Sequence, residues 1–181
     1  YRVIAVSDSK GAVMHPRGLP PSEVLEHKAR TGSVVGFEGA ETLACEEIFD
    51  VDSVVLALAA MEETITAANA DHLKAQVVVE TANYPVTAEA DAILADRGVT
   101  VAPDILASGG GVAVSYLEWV QDIQRDQWDE ARVNARLEEV MGAATDQVLA
   151  RAESEGLGLR EAAYLIGVGR VAEAEVARGF R

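Results

Sequence analysis

Residues 54–58 read VVLAL, five apolar positions in a row with no polar residue at alternate places. A strand without that alternation is buried on both faces, the habit of a parallel sheet rather than of a hairpin. Working outward, the same reading applies to residues 77–79 (VVV), 99–102 (VTVA) and 2–6 (RVIAV). Helix signals separate these runs. Pro20 and Pro21 precede residues 22–29, and proline suits a first helical turn. Thr66 can cap the turn through residues 69–73. Thr87 can cap residues 88–96, with Glu89 near the positive helix end and Gly98 as a natural stop. Strand alternating with helix predicts an α/β fold around a parallel sheet.

Beyond Pro103 the pattern is helical only. One helix is expected over residues 112–123. A second, capped by Asp129, carries the apolar stripe Val133, Leu137, Val140, Ala144 and Val148 and ends at Gly156. A third is expected over residues 159–178, where Gly167 and Gly169 each cost about 1 kcal/mol relative to alanine and imply close packing or a bend. No repeat, low-complexity segment or linker divides the chain. The expectation is one domain, with an α/β region over residues 1–111 and carboxyl-terminal helices over 112–181.

Composition narrows the function classes. Thirty acidic residues face fifteen basic ones, a net charge of -15, and Lys10, Lys28 and Lys74 are the only lysines. Such a field repels nucleic acid and anionic membranes, so neither is an expected partner. A lysine-poor, acidic surface fits adaptation to high salt; a moderately acidic enzyme from any source is the plainer alternative. No apolar run reaches the length of a membrane span and the first residues do not resemble a secretory signal. The single cysteine, Cys45, excludes an internal disulfide and a cysteine-based zinc cluster, and a cytoplasmic setting is expected. His15, His27 and His72 have no metal-ligand spacing and read as solvated surface residues. Tyr116, Trp119 and Tyr164 read as core packing on helices.

Two segments carry candidate chemistry. Residues 2–9 (RVIAVSDS) read as the second strand of a dinucleotide-binding unit, with Asp8 at its end to accept hydrogen bonds from ribose hydroxyls. In that unit the phosphate-cradling glycines lie about 20 residues upstream, which here falls before Tyr1. The alternative is a turn-forming aspartate. Further on, Ser108-Gly109-Gly110-Gly111-Val112 stands between a strand end and a helix start, where free backbone amides can face an anion, with Ser115 about one turn inside. The alternative there is a flexible hinge followed by a buried serine.

Several blocks together resemble the glutamate dehydrogenase family, which includes the leucine, phenylalanine and valine dehydrogenases. They are VSDSKG at 6–11, LEHKARTGSVVGF at 25–37, residues 39–41, VVVETANYP at 77–85, PDILA at 103–107, GGVAVSYLEWVQ at 110–121 and RVAEA at 170–174. The blocks keep the family's order and span nearly the whole chain. The resemblance implies a Rossmann-like parallel sheet lacking its first strand-turn-helix, followed by carboxyl-terminal helices. It implies reversible NAD(P)-dependent oxidative deamination of an amino acid, with L-glutamate expected, NAD the expected cofactor and NADP possible, and a homo-oligomer for the complete enzyme. Ser115 matches the serine that binds the substrate carboxylate, and Val112 a residue walling the side-chain pocket. Asp8, Ser9, Ala59, Ala60, Asn83 and Ser108 match the cofactor side. The family's catalytic lysine and aspartate belong to an amino-terminal domain, and nothing in these residues replaces them. The alternative function is a non-catalytic, truncated relative acting as an interaction subunit.

The chain also departs from the family pattern. Leu58 stands where proline is usual and Glu63 where asparagine is often found. Thr81 and Tyr84 replace glycines, Val86 replaces threonine and Ser108 replaces asparagine. The Tyr84 ring is expected to intrude on the cofactor cleft.

Overall fold

The computed structural model describes residues 1–179. Strands β1 (Ala5–Asp8) and β2 (Gly11–Met14) form an antiparallel hairpin, and β3 (Glu41–Leu43) adds to the far side of β2. The turn between β1 and β2 is local chemistry: the Asp8 carboxylate accepts from the Lys10 amide at 2.9 Å, a side-chain-closed turn typical of aspartate. Gly11 is required by close approach, since a Cβ there would lie 2.8 Å from Val35 Cγ2. Helix α1 (Pro21–Thr31) begins on proline and ends at Gly32, whose φ of 79° closes the last turn. Val24 from α1 packs with Val13, Leu19 and Val34 over this sheet.

Placing residues 2–6 in a parallel sheet was an expectation that the structure corrects. The run contributes β1, whose only strand partner among the described residues is antiparallel β2. The cause is the two-residue turn at Ser9-Lys10, which folds the chain straight back before any crossover can form.

The parallel sheet is β4 (Val55–Leu58), β5 (Val77–Glu80) and β6 (Thr100–Ala102), in that order. Helix α2 (Ala88–Asp96) carries the crossover from β5 to β6. Its first turn is capped by the Thr87 side chain, which accepts from the Ala90 amide, and Gly98 follows at φ 74°. The crossover from β4 to β5 is instead a bend with a single 3₁₀ turn at Ala70–His72. Arg97 donates to the carbonyls of Ala70 and Leu73 and fixes that bend beneath α2. Leu56, Leu58, Ile65, Leu73, Val78, Val86 and Leu94 make the core on this side. Burial on β4 alternates: Leu56 and Leu58 are buried, while Val55 is 42% exposed. The both-faces-buried reading of VVLAL therefore holds for one face only, the one packed into the core with Ile65, Leu73 and Leu94, and the central strand β5 alternates in the same way.

Four helices follow: α3 (Asp104–Ala107), α4 (Gly109–Gln124), α5 (Glu130–Glu155) and α6 (Leu159–Ala177). Asp129 caps α5 by accepting from the Arg132 amide at 2.8 Å, and Gly156 ends it at φ 65°. Val148, Ala152, Ala162 and Ala163 pack α5 against α6, with Leu106 of α3 beneath them. Helix α6 runs unbroken through Gly167 and Gly169, so neither marks a bend. Nor does packing demand them: a Cβ on Gly167 would make an ordinary 3.8 Å contact with Ile105, and one on Gly169 would meet nothing. Among the described residues no helix is long and apolar enough to cross a membrane.

Candidate functional site

Parallel strands deliver their carboxyl ends to one edge of a sheet, and that edge is where open α/β sheets bind ligands. Here the segments leaving it are Ala59-Ala60 after β4, residues 81–85 after β5, and the α3–α4 turn after β6. The first two are tied together directly. The Leu58 carbonyl accepts from the Thr81 amide at 3.0 Å, the Ala82 amide at 2.8 Å and the Thr81 hydroxyl at 2.9 Å. Ala59, Ala60 and Asn83 are all exposed. The loop then folds onto the segment before it, with the Glu63 amide donating to the Tyr84 carbonyl and the Ile65 amide to the Pro85 carbonyl, each at 2.8 Å.

Beneath this edge lies a charge cluster that the sequence reading passed over. Glu80, the last residue of β5, is fully buried and is gripped by the Arg160 guanidinium of α6 through two bonds, at 2.7 and 3.0 Å. Arg160 also binds Asp91 of α2 at 2.9 Å and pairs with Asp104 at 3.6 Å. Burial works against the Arg160 charge, but the bonds from Glu80 and Asp91 outweigh it and raise its pKa further above the arginine range. A signal was present in the sequence: a glutamate directly after VVV must find a cation or leave a charge unpaired in the core.

Asp104 extends the cluster to the surface. Its backbone amide donates to Glu80 at 2.8 Å, and its carboxylate accepts from the Tyr84 amide at 2.8 Å. Its carbonyl accepts from both the amide and the hydroxyl of Ser108, at 2.9 and 2.7 Å. The Ser108 hydroxyl is thereby committed as a donor and keeps its lone pairs free to accept.

The glycine-rich segment is not a loop. Helix α4 already includes Gly109, Gly110 and Gly111 as its first turn, none with positive φ, so the flexible hinge is corrected. The physical reason is that α3 ends at Ala107 and Ser108 keeps helical angles, φ −89° and ψ −3°, so the chain passes almost without interruption into α4. Ser115 consequently lies two turns in. Ser108, Val112 and Ser115 share one face by spacing. Val112 is 75% exposed and Ser115 is exposed, whereas Leu117 on the opposite side is buried. Ser115 is thus no buried packing residue, and Tyr116, Trp119 and Tyr164, expected in the core, are exposed as well.

Asp8 and Ser9 stand in the antiparallel sheet. The Asp8 side chain is only 6% exposed, and both oxygens are engaged: one by the Lys10 amide and Ser33 hydroxyl, the other by the Val34 amide at 2.8 Å and Lys28 Nζ at 3.2 Å. Burial pushes its pKa up, but these donors prevail and lower it to about 2. Ser9 and Lys10 at the turn are exposed. His27, expected to be solvated, is instead half-buried, with Nε2 3.1 Å from the Val35 carbonyl and its ring edge-on to Phe37. Among the described residues no group of His, Cys, Asp and Glu is arranged to hold a metal ion.

A parallel sheet whose carboxyl edge gathers small residues, an exposed amide side chain and a helix bearing exposed serine defines an α/β protein of the open-sheet class, which takes its ligands at that edge. The chain belongs to the Glutamate/Leucine/Phenylalanine/Valine dehydrogenase family, whose model matches residues 1–179. It is 44% identical over 179 residues to a glutamate dehydrogenase of Thermotoga maritima, covering 99% of this chain and 43% of that protein. It is 50% identical over 174 residues to the NADP-specific glutamate dehydrogenase A1 of Halobacterium salinarum, covering 95% of this chain and 42% of that protein, a relative in keeping with the salt-adapted composition. The hetero-hexameric glutamate dehydrogenase of Thermus thermophilus in its Leu-bound form superposes with a TM-score of 0.91 at 41% identity, over 98% of this chain and 42% of that one. The chain therefore spans less than half the length of these relatives, within an oxidoreductase family that uses NAD(P).

Proposed function

We propose that these residues form the cofactor side of an NAD(P)-dependent amino-acid dehydrogenase that deaminates L-glutamate to 2-oxoglutarate and ammonia in the complete polypeptide. The observation that carries this reading is the meeting of Ala59-Ala60, the Asn83 loop and Ser108 at one sheet edge, in a chain matched end to end by the family. On this reading the chain works as one domain: residues 1–111 hold the dinucleotide and residues 112–181 pack back onto them, as the Arg160 contacts support. A homo-oligomer in the cytoplasm is part of the same reading.

The residues present fit the nicotinamide end of the group. Ala59 and Ala60 carry only a methyl group, too small to block a ring or ribose laid on the strand ends, Asn83 offers an amide, and Ser108 can accept from a carboxamide. When bound, the dinucleotide supplies the hydride acceptor. The chain's own residues bind and orient: the Ser115 hydroxyl donates to the substrate carboxylate, Val112 walls the side-chain pocket, and the sheet edge fixes the plane against which the amino acid lies. The 181 residues alone should not turn over, because the family's catalytic lysine has no counterpart here.

Cofactor choice rests on the β1–β2 turn. A free aspartate carboxylate at this turn favours NAD, since it accepts from the ribose hydroxyls and repels a 2′-phosphate. The Asp8 charge is offset by Lys28 and its oxygens are engaged, which leaves exposed Ser9 and Lys10 to meet that position. This arrangement supports acceptance of NADP beside NAD.

Ser115→Ala in the complete polypeptide tests the assignment. Loss of one charge-assisted bond, worth about 1.5–3 kcal/mol, should lower kcat/KM for the amino acid roughly 10- to 150-fold. Because Ser115 is exposed, melting temperature and cofactor affinity should hold. An unchanged kcat/KM for the amino acid would remove Ser115 from the site.

A further inference from the structure

We propose that Arg160 is a positioning residue for the dinucleotide edge, acting from α6 through Asp104 on the Asn83–Tyr84 loop and on Ser108. Three carboxylates, those of Glu80, Asp91 and Asp104, converge on one guanidinium. Without it they repel one another, and Glu80 would be left as an unpaired ion with no exposure to water. The guanidinium is planar and forked: its two Nη atoms grip Glu80 while Nε reaches Asp91. One side chain thus locks the end of β5, helix α2 and the start of α3 in fixed relation.

Asp104 is the output of that lock. One of its oxygens pairs with Arg160 and caps the Ile105 amide at 2.7 Å; the other holds the Tyr84 amide. Tyr84 sits at φ 45°, a backbone setting that needs outside support, and Asn83 precedes it directly. The Asp104 carbonyl meanwhile holds the Ser108 hydroxyl. Two elements of the proposed cofactor edge therefore take their geometry from one residue, and that residue from Arg160. None of these contacts reaches the reacting atoms, so Arg160 positions and does not catalyse.

The inference rests on the proposed dinucleotide site for its kinetic consequence, while its structural part stands separately. The test uses the complete polypeptide with Arg160→Met and Arg160→Lys, reading amide hydrogen exchange and steady-state kinetics. In Arg160→Met, exchange at the Tyr84 amide should accelerate about tenfold or more relative to Val78 in mid-strand, the size expected for losing one charge-assisted bond. KM for the dinucleotide should rise by a similar factor, with kcat reduced less. Arg160→Lys, a single-point cation, should restore part of both. Uniform acceleration across β5 with an unchanged dinucleotide KM would overturn the proposal, since a purely structural ion pair predicts that. If Arg160→Met does not fold, Asp104→Ala decides: it spares the Arg160 bonds to Glu80 and Asp91, and an unchanged KM and Tyr84 exchange would overturn the proposal equally. If the unsubstituted protein binds no dinucleotide, the functional reading fails. Tyr84 exchange in the same variants then still supports or refutes the Arg160–Asp104 lock.

Discussion

Glu63 and Tyr84 both lie in the left-handed region of backbone space, at φ 50° and 45°, and are joined by the Glu63 N–H to Tyr84 carbonyl bond. These are two of the places where the chain departs from the family pattern of asparagine and glycine, residue types that accept this conformation with little strain. A left-handed residue with a Cβ costs about 1–2 kcal/mol. For Tyr84→Gly that relief is offset by about 0.4–1 kcal/mol of added unfolded-state freedom and by lost contacts of a half-exposed ring, so little net change is expected. Glu63→Asn has no such offsets, because Glu63 is exposed, and should stabilise by up to about 1 kcal/mol. Thermal melting of Glu63→Asn beside Glu63→Gln, which removes the same charge without favouring φ > 0, separates strain from electrostatics; equal melting temperatures would refute the strain argument. Asp8 gives a second prediction. Its folded pKa, lowered to about 2 from a reference of 3.8, means that its stabilising contribution is complete above about pH 4 and is lost as pH falls toward 2. The melting-temperature gap between the natural chain and Asp8→Asn should therefore be widest above pH 4 and close by pH 2. A gap constant across that range would show that the Lys28 and amide bonds do not hold the carboxylate.

Elements with local causes were legible in the sequence. The caps at Thr87 and Asp129, the stops at Gly98 and Gly156 and the proline start of α1 each depend on residues within one turn of the element's end, and all stand where the sequence placed them. Elements decided by distant partners were not legible. Strands β2 and β3 are four and three residues long, too short for a period to show, and exist because β1 turns back on itself. The start of α4 was set too late because three glycines argue for a loop by propensity, whereas the Asp104–Ser108 bonds run α3 straight into it. The candidate site divides the same way. Its positions on strand ends followed from family resemblance and strand order. The Arg160 lock joins residues 80 apart in the chain, and no spacing rule reaches across that separation.

Two large-scale features remain: a net charge of -15 and a row of exposed apolar residues on α4, comprising Val112, Tyr116, Trp119 and Ile123. At spacings of four, three and four residues these side chains form one contiguous face of the helix. The charge makes a sharper prediction. Thirty acidic side chains against fifteen basic ones create self-repulsion that opposes the compact state. Added salt shortens the screening length from about 10 Å at 0.1 M to about 3 Å at 1 M, weakening repulsion and attraction alike. Which effect wins depends on the attractive pairs exposed to solvent. Those described are Arg132–Asp126, Arg136–Glu139, Arg151–Glu155 and Arg178–Glu175, solvent-facing pairs that contribute little to stability, while the buried Arg160 cluster is screened far less. Repulsion summed over the whole excess of acid should therefore dominate. The melting temperature is expected to rise by about 5 °C between roughly 0.05 and 0.5 M KCl, equivalent to about 1–2 kcal/mol for a chain of this size. Below molar concentration, exclusion of the salt from the surface adds little, so the rise reports screening. A flat or falling melting temperature over that range would mean that the surface pairs outweigh the net charge, and the acidic composition would lose its physical link to salt.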